Sequence, residues 1–291
     1  MGARYSAGMA LTARLKNTVK KELKSLRRRY MDRFHAFTPE QFQAALAGLG
    51  VATGDAVLVH SSFDAFEGFQ GKANDVITAL QARVGPDGLL LMPTMGFTGS
   101  AIEWARSGTL FDVKRTPSRM GLVSELFRRT PGVVRSVHPT HPIACWGRDA
   151  GLAAQDHHLS RTPCGRGTPF EFLSHQRGKI LLLGTGLGVL TYYHHLEEIF
   201  EPRWPQSPFT QEVFEFKSRT ADGQVLETRN RLYEPAMSRR RNLQKLEPAI
   251  RRQPGGWREA RIGRLQLILL DVPAVDAAVG ELTDQGIYCY D

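Results

Sequence analysis

Short unbroken apolar runs alternate along the chain with stretches whose apolar positions recur every three or four residues, so strands and helices are expected in turn. The runs AVLVH (56–60), GLLLMPT (88–94), GKILLLG (178–184) and RLQLILLDV (264–272) read as buried strands. Between them, TPEQFQAALAGLG carries the marks of a capped helix: Thr38 as N-cap, Pro39 in the first turn, Gln41 completing a capping box, and Gly50 as a stop. NDVITALQARVG, TPSRMGLVSELFRR, LTYYHHLEEIF and PAVDAAVGELTD are helical by the same periodicity. The alternation of β, α and β predicts a layered α/β fold in which helices cover a sheet.

The N-terminal stretch has a different character. Leu11, Leu15, Val19, Leu23, Leu26, Tyr30 and Phe34 form one apolar stripe, and nine Lys or Arg fall between Arg14 and Arg33 against only Glu22 and Asp32. Residues 1–36 are therefore expected to form a basic amphipathic helix, appended to a single domain over 37–291. Such a helix packs on its own domain, on a second subunit in a homodimer, or on an anionic membrane surface. Nucleic acid is disfavoured, since no aromatic-interleaved basic motif accompanies the charge.

At 291 residues, 42% hydrophobic and 23% charged, the chain can bury a full core. The apolar runs are far too short to span a bilayer, and the N-terminus is too basic and polar for a signal peptide, so a cytoplasmic location is expected. Three widely spaced cysteines, Cys145, Cys164 and Cys289, favour reduced thiols over a disulfide framework. Formal charge is +9, and a second basic cluster from Arg239 to Arg264 matches the first, so that with the acidic tail after Arg264 counted the body between the clusters is near neutral. The two clusters read as basic appendages.

The segment LTYYHHLEE places two histidines and two carboxylates within five residues, directly after a strand and a glycine turn. On a helix His194 and Glu197 share a face, and a carboxylate beside an imidazole fixes its tautomer, as a general base requires. A surface salt pair has the same spacing, but a helix that follows a buried strand starts at the carboxyl edge of the sheet, where α/β proteins bind ligands. Gly184, Gly186 and Gly188 suggest a dinucleotide loop, yet its third glycine falls on Val189. His138 and His141 of HPTH, with His157 and His158, lack the spacing of a recognised zinc motif, so no metal is expected.

VLVHSSF, LLMPTMGFTG, FDVKRTPSRMGLVSELFRRTPGVVRSVHPTHPIACWG, GRGTPFEFL, KILLLGTGLGVLTYYHHLEE and REARIGRL, in that order, resemble the aminoglycoside N3-acetyltransferase family. The resemblance covers most of the chain outside the basic stretches. It implies a layered α/β/α sandwich, acetyl-coenzyme A as cofactor, and direct acetylation of an amine, a chemistry associated with antibiotic resistance. The family's TxxHxxE pattern falls on Thr191, His194 and Glu197, which makes His194 the implied base and Glu197 its partner. Thr191 and Glu198 are candidates for acceptor contacts. His60, Ser61 and Ser62 at a strand end, Thr116 and Ser118 at a helix start, and Arg135, Ser136 and His138 before HPTH are implied to hold the cofactor in one cleft. Cys145 and Cys164 are expected to be packing residues rather than acyl carriers.

Two departures bear on the substrate. HPTHP carries Pro142 where the family commonly has serine, removing a hydroxyl and a backbone donor. An acceptor cleft for polycationic aminoglycosides should also be acidic, whereas RRRNLQKLEPAIRRQ lies in the half of the chain expected to shape it. The expected acceptor is therefore an amino sugar that is neutral or carries phosphate, nucleotide-linked or lipid-linked, with an aminoglycoside as the second possibility. The alternative to an enzyme is an inactive member of the fold that serves as a basic docking module for a membrane or polymer.

Overall fold

The computed structural model describes residues 19, 22–23, 25–27 and 29–291. The first half contains α1 (Pro39–Leu49), β1 (Ala56–Ser61), α2 (Ala73–Val84), β2 (Leu89–Pro93), α3 (Ala101–Arg106), β3 (Phe111–Asp112), α4 (Leu122–Phe127), β4 (Val134–Arg135) and β5 (Ile143–Gly147). There follow α5 (Ala150–Ala154), α6 (Pro169–His175), β6 (Lys179–Leu183), α7 (Tyr192–Phe200), β7 (Phe209–Arg219) and β8 (Val225–Tyr233). The chain continues through α8 (Pro235–Arg240), α9 (Leu246–Arg252), β9 (Trp257–Ile262), β10 (Leu265–Asp271) and α10 (Val272–Asp284).

Seven strands form one sheet in the order β4-β5-β2-β1-β6-β10-β9, with β2, β1 and β6 parallel at its centre and antiparallel strands outside them. Its central strands carry the unbroken apolar runs Ala56–Val59, Leu89–Pro93 and Ile180–Leu183 because both faces are buried there. Leu58, Leu91, Ile180, Leu182 and Ile268 point to one face, against α5, α6, α7, α9 and α10. Val57, Val59, Leu90, Leu181, Leu183 and Leu267 point to the other, against α1, α2 and α4. A slip of one residue would exchange these two sets, and each fully buried leucine contributes about 1.5–3 kcal/mol, so the register is set by the core. The three layers are those expected.

Several local expectations hold in detail. Thr38 and Gln41 make both halves of the capping box, and Gly50 ends α1 in the left-handed region at φ 103°. By contrast, the helix expected over TPSRMGLVSELFRR is confined to Leu122–Phe127. Ser118 bonds Ser124 and the Met120 amide, while Glu125 accepts from the Ser118 amide, so the residues before Gly121 form a turn. A second sheet, β3-β7-β8, was not expected from the pattern; Phe214, Phe216 and Leu232 pack one face of it onto α3. The stretch from Arg239 to Arg264 is no appendage. It supplies α9 and β9 to the main body, and several of its arginines pair on the surface with Glu247, Glu259, Glu281 and Asp271.

Leu11 and Leu15 of the amphipathic stripe lie outside the described residues. Residues 29–34 are helical, and Val19, Leu23, Leu26, Tyr30 and Phe34 are all exposed while Met31 is buried. Among the described residues, no helix is long and apolar enough to cross a membrane.

Connections from the central strands determine where a ligand can sit. The chain leaves β1 toward α2 on one face of the sheet, and leaves the adjacent, parallel β6 toward α7 on the other. Adjacent parallel strands whose connections diverge in this way open a crevice at their carboxyl ends.

Candidate active site

The crevice opens where His60 and Ser61 end β1, Pro93 ends β2, and Thr185 follows β6. Gly184 makes the turn out of β6 in the left-handed region, at φ 63°. It is followed by a short 3-10 turn, Leu187–Val189, and then by α7, which buries Tyr192, Tyr193 and Leu196 in the core. This anchoring brings His194 to the crevice with its side chain 16% exposed, while the Glu197 carboxylate one turn below is fully buried.

Glu197 gathers three donors. Nδ1 of His194 lies 2.6 Å from its Oε2, Nε of Arg241 lies 2.8 Å from its Oε1, and the Tyr290 hydroxyl donates to the same Oε1. Burial alone would raise the pKa of this carboxyl, but His194, Arg241 and Tyr290 together hold it below the usual carboxylate range, so it is ionised. Its partner imidazole is held below its ordinary value, first by burial and then by Arg241, against the opposing pull of Glu197. At neutral pH the arrangement is a neutral histidine beside a carboxylate whose charge Arg241 balances. The carboxylate accepts, so Nδ1 carries the proton and Nε2 keeps its lone pair. The Tyr233 ring stacks on the imidazole at 4.3 Å between centroids, and His141 meets it edge-on at 5.7 Å, fixing its plane.

His194 separates two clefts. The first, of about 300 Å³, is lined by His60, Ser61, Met120, Ser124, Thr185 and Thr191 among others. The second, of about 350 Å³, is walled by the loop from Met95 to Ala101, His141, Tyr233 and the residues from Pro235 to Arg241. Met95, His194 and Arg241 belong to both. A base with its free nitrogen at the junction of two clefts can take a proton from one bound molecule while that molecule attacks another.

The other sequence candidates fall in three groups. His60, Ser61 and Thr191 line the first cleft, with the Thr191 hydroxyl 3.3 Å from Nε2 of His60, which burial and His194 lower to a pKa of about 4. Thr116 accepts from the Asp112 amide, Ser118 accepts from the Met120 amide in the turn that carries Met120 to the cleft, and Ser62 donates its amide to the Leu183 carbonyl. Arg135, Ser136 and His138, expected in the cleft, line neither one. Arg135 is buried and ties Thr94, Val113 and Thr116 together; Ser136 bonds His157; and His138 stacks on His157 at 4.4 Å. Glu198 also lies apart, accepting from Thr162, with its pKa raised by burial to about 7. Cys145 and Cys164 are buried in the core, where burial pushes both thiols up and away from the reactive thiolate.

Comparison with known proteins agrees with this architecture. A family model described as aminoglycoside 3-N-acetyltransferase matches residues 58–283, most of the chain. The chain belongs to that family. Aminoglycoside N(3)-acetyltransferase III of Acinetobacter baumannii is 31% identical over 183 residues, covering 57% of this chain and 63% of that protein. The enzyme of the same name from Serratia marcescens is 32% identical over 175 residues, covering 56% and 64%. These alignments therefore span just under two thirds of the relatives' length. Among solved structures, aminoglycoside acetyltransferase AAC(3)-Xa superposes with a TM-score of 0.73 at 25% identity, over 87% of this chain and 94% of that one. The AAC-IIIb binary complex with CoASH gives a TM-score of 0.69 at 25% identity, over 86% and 97%.

Sequence reasoning missed Arg241, Tyr233 and Tyr290 as parts of the site of this family member. Arg241 was visible only as one charge in a basic run. The two tyrosines carry no local motif, and all three reach His194 or Glu197 through the tertiary fold.

Proposed function

We propose that the chain is an acetyl-coenzyme A-dependent N-acetyltransferase in which His194 is the general base and Glu197 its orienting partner. The observation that carries this is the position of His194 between two clefts, with Nδ1 held by a buried carboxylate. The first cleft suits a pantetheine arm: the Thr185 hydroxyl is buried there without a hydrogen-bond partner, and nothing lies within 4 Å of where a side chain at Gly188 would project. Ser61, Thr185 and Thr191 would hold the arm. CoASH occupies the related AAC-IIIb structure. The same relationship makes aminoglycosides candidate acceptors, since AAC-VIa binds sisomicin.

Acetyl-coenzyme A, when bound, supplies the activated acyl group: its C–S bond breaks as the N–C bond forms, and the thiol leaves. An aliphatic amine is mostly protonated near neutral pH, so the acceptor sheds one proton to become nucleophilic. The further N–H proton released on bond formation passes to Nε2 of His194, and the imidazolium returns it to the departing thiolate. Glu197 stabilises the transient imidazolium, and Tyr233 and His141 keep the ring facing the clefts. An inactive docking module offers no reason for His194, Glu197, Arg241 and Tyr290 to be assembled in this way.

Calorimetric titration of acetyl-coenzyme A, followed by thiol release with a panel of amino sugars and aminoglycosides, tests the proposal. Saturable binding with acceptor-dependent thiol release is expected; absence of binding would return the docking module to first place. We also assign residues 1–36 to peripheral contact with an anionic membrane, since the apolar residues described there are exposed beside a basic face. Co-sedimentation with phosphatidylserine vesicles at low salt should deplete the protein, and release it as salt rises. Equal recovery in the supernatant with and without vesicles would remove this assignment.

A further inference from the structure

Three consecutive arginines leave α8, and each has a different fate. Arg240 bonds the backbone carbonyl of Asp291, and Arg241 turns inward to Glu197. Arg239 is exposed on the wall of the second cleft and forms no hydrogen bond or ion pair with the described residues. The lining of that cleft contains no aspartate or glutamate. Glu197, the nearest carboxylate to His194, is fully buried beneath it and already balanced by Arg241. Since His194 is neutral near pH 7, Arg239 contributes an uncancelled positive charge to the cleft. Arg241 lines the same cleft but is committed to Glu197: its Nε bonds Oε1, and its Nη2, 2.7 Å from that oxygen, is buried.

An exposed guanidinium with unused donors, on the wall of the cleft that holds the base, is suited to an oxyanion on the molecule whose amine is to be deprotonated. The Phe97 ring and the Ser100 and Ser238 side chains on the same walls suit a sugar face and its hydroxyls. A polycation would be repelled by this wall, and nothing on it offers a carboxylate to offset that repulsion.

We infer that the acceptor is an amino sugar bearing a phosphate ester, recognised by Arg239. This rests on the acyltransferase reading for the chemistry, but the charge preference can be measured without turnover. The probes are glucosamine, glucosamine 1-phosphate, glucosamine 6-phosphate and sisomicin, titrated into the full chain alone and saturated with coenzyme A, beside Arg239→Glu and Arg239→Ala. Arg239 is exposed, so neither variant should disturb folding.

At least one phosphate ester is expected to bind about tenfold or more tighter than glucosamine, with sisomicin weakest, since a charge-assisted contact is being added. Arg239→Ala should remove most of that preference and Arg239→Glu should reverse it, while coenzyme A affinity stays unchanged. The inference is overturned if sisomicin binds better than both esters, if neither ester binds above glucosamine, or if the preference survives in Arg239→Glu. It is equally overturned if Arg239→Glu weakens coenzyme A, because the arginine would then serve the cofactor's own phosphates. Failure of coenzyme A to bind while the phosphate preference persists would count against the acyltransferase reading alone.

Discussion

Replacing His194 with alanine is expected to lower kcat by about a hundredfold to ten-thousandfold, the range that a positioned general base contributes. His194 is one of fifteen residues lining the first cleft, so coenzyme A affinity should change little. The size of the loss follows from the state of the ring. Its Nδ1 proton is committed to Glu197, and its lowered pKa leaves Nε2 free at neutral pH. No substitute stands nearby. His141 is buried, with its pKa held well below the ordinary value by burial and by His194, and it meets the ring of His194 edge-on. His60 is buried and bonded to Thr191. Measurement of thiol release under saturating acceptor, with calorimetry on the same variant, separates loss of the base from loss of binding. An unchanged kcat would remove His194 from the chemistry.

Changing Glu197 should have two separable effects. In Glu197→Ala the guanidinium of Arg241, only 15% exposed, and the Tyr290 hydroxyl lose their shared acceptor. Breaking a buried ion pair from one side costs about 3–5 kcal/mol, because the remaining charge stays buried without compensation. A clear fall in thermal stability is therefore expected, which differential scanning calorimetry would show. Glu197→Gln keeps the shape and isolates the chemistry. An amide can donate to Nδ1, which favours the tautomer with its proton on Nε2, and it no longer opposes the influence of Arg241 on the ring. A loss in kcat of about a hundredfold or more should result. Stability still falls, because the Arg241 charge is uncompensated in both variants, but less than in Glu197→Ala, since the amide oxygen can still accept from Arg241 and Tyr290. Normal turnover in Glu197→Gln, whatever its stability, would make Glu197 a structural residue only.

How much of this was legible in the sequence depends on the range of the interactions involved. The central strands could be read because burial on both faces leaves no polar position in Leu89–Met92 or Ile180–Leu183. The pairing of His194 with Glu197 could be read because a helix brings residues three apart together, and the motif resemblance chose between them and the neighbouring His195 and Glu198. His195 in fact bonds the Cys164 carbonyl, and Glu198 reaches Thr162, so the neighbours hold a loop. The hairpin β7–β8 was missed although Phe214 and Phe216 alternate with charged residues. Its consequence is large, since its last residue, Tyr233, stacks on the base. Arg135 shows the opposite failure: a polar residue in a functional-looking motif whose donors all go to Thr94, Val113 and Thr116. Sequence alone does not distinguish a side chain that ties loops from one that holds a ligand. Arg241 was counted as net charge, whereas the fold uses it to balance a buried carboxylate and to lower the pKa of a histidine.

The most direct test of the central claim is the pH dependence of acyl transfer, followed as thiol release at saturating acetyl-coenzyme A and acceptor. The base acts in its neutral form, so kcat falls as pH drops through the folded-state pKa of His194, which burial and Arg241 place below 6.5. A wild-type acid limb centred below pH 6.5, absent from the residual activity of His194→Ala, is the predicted result. An acid limb that survives unchanged in His194→Ala would contradict the account.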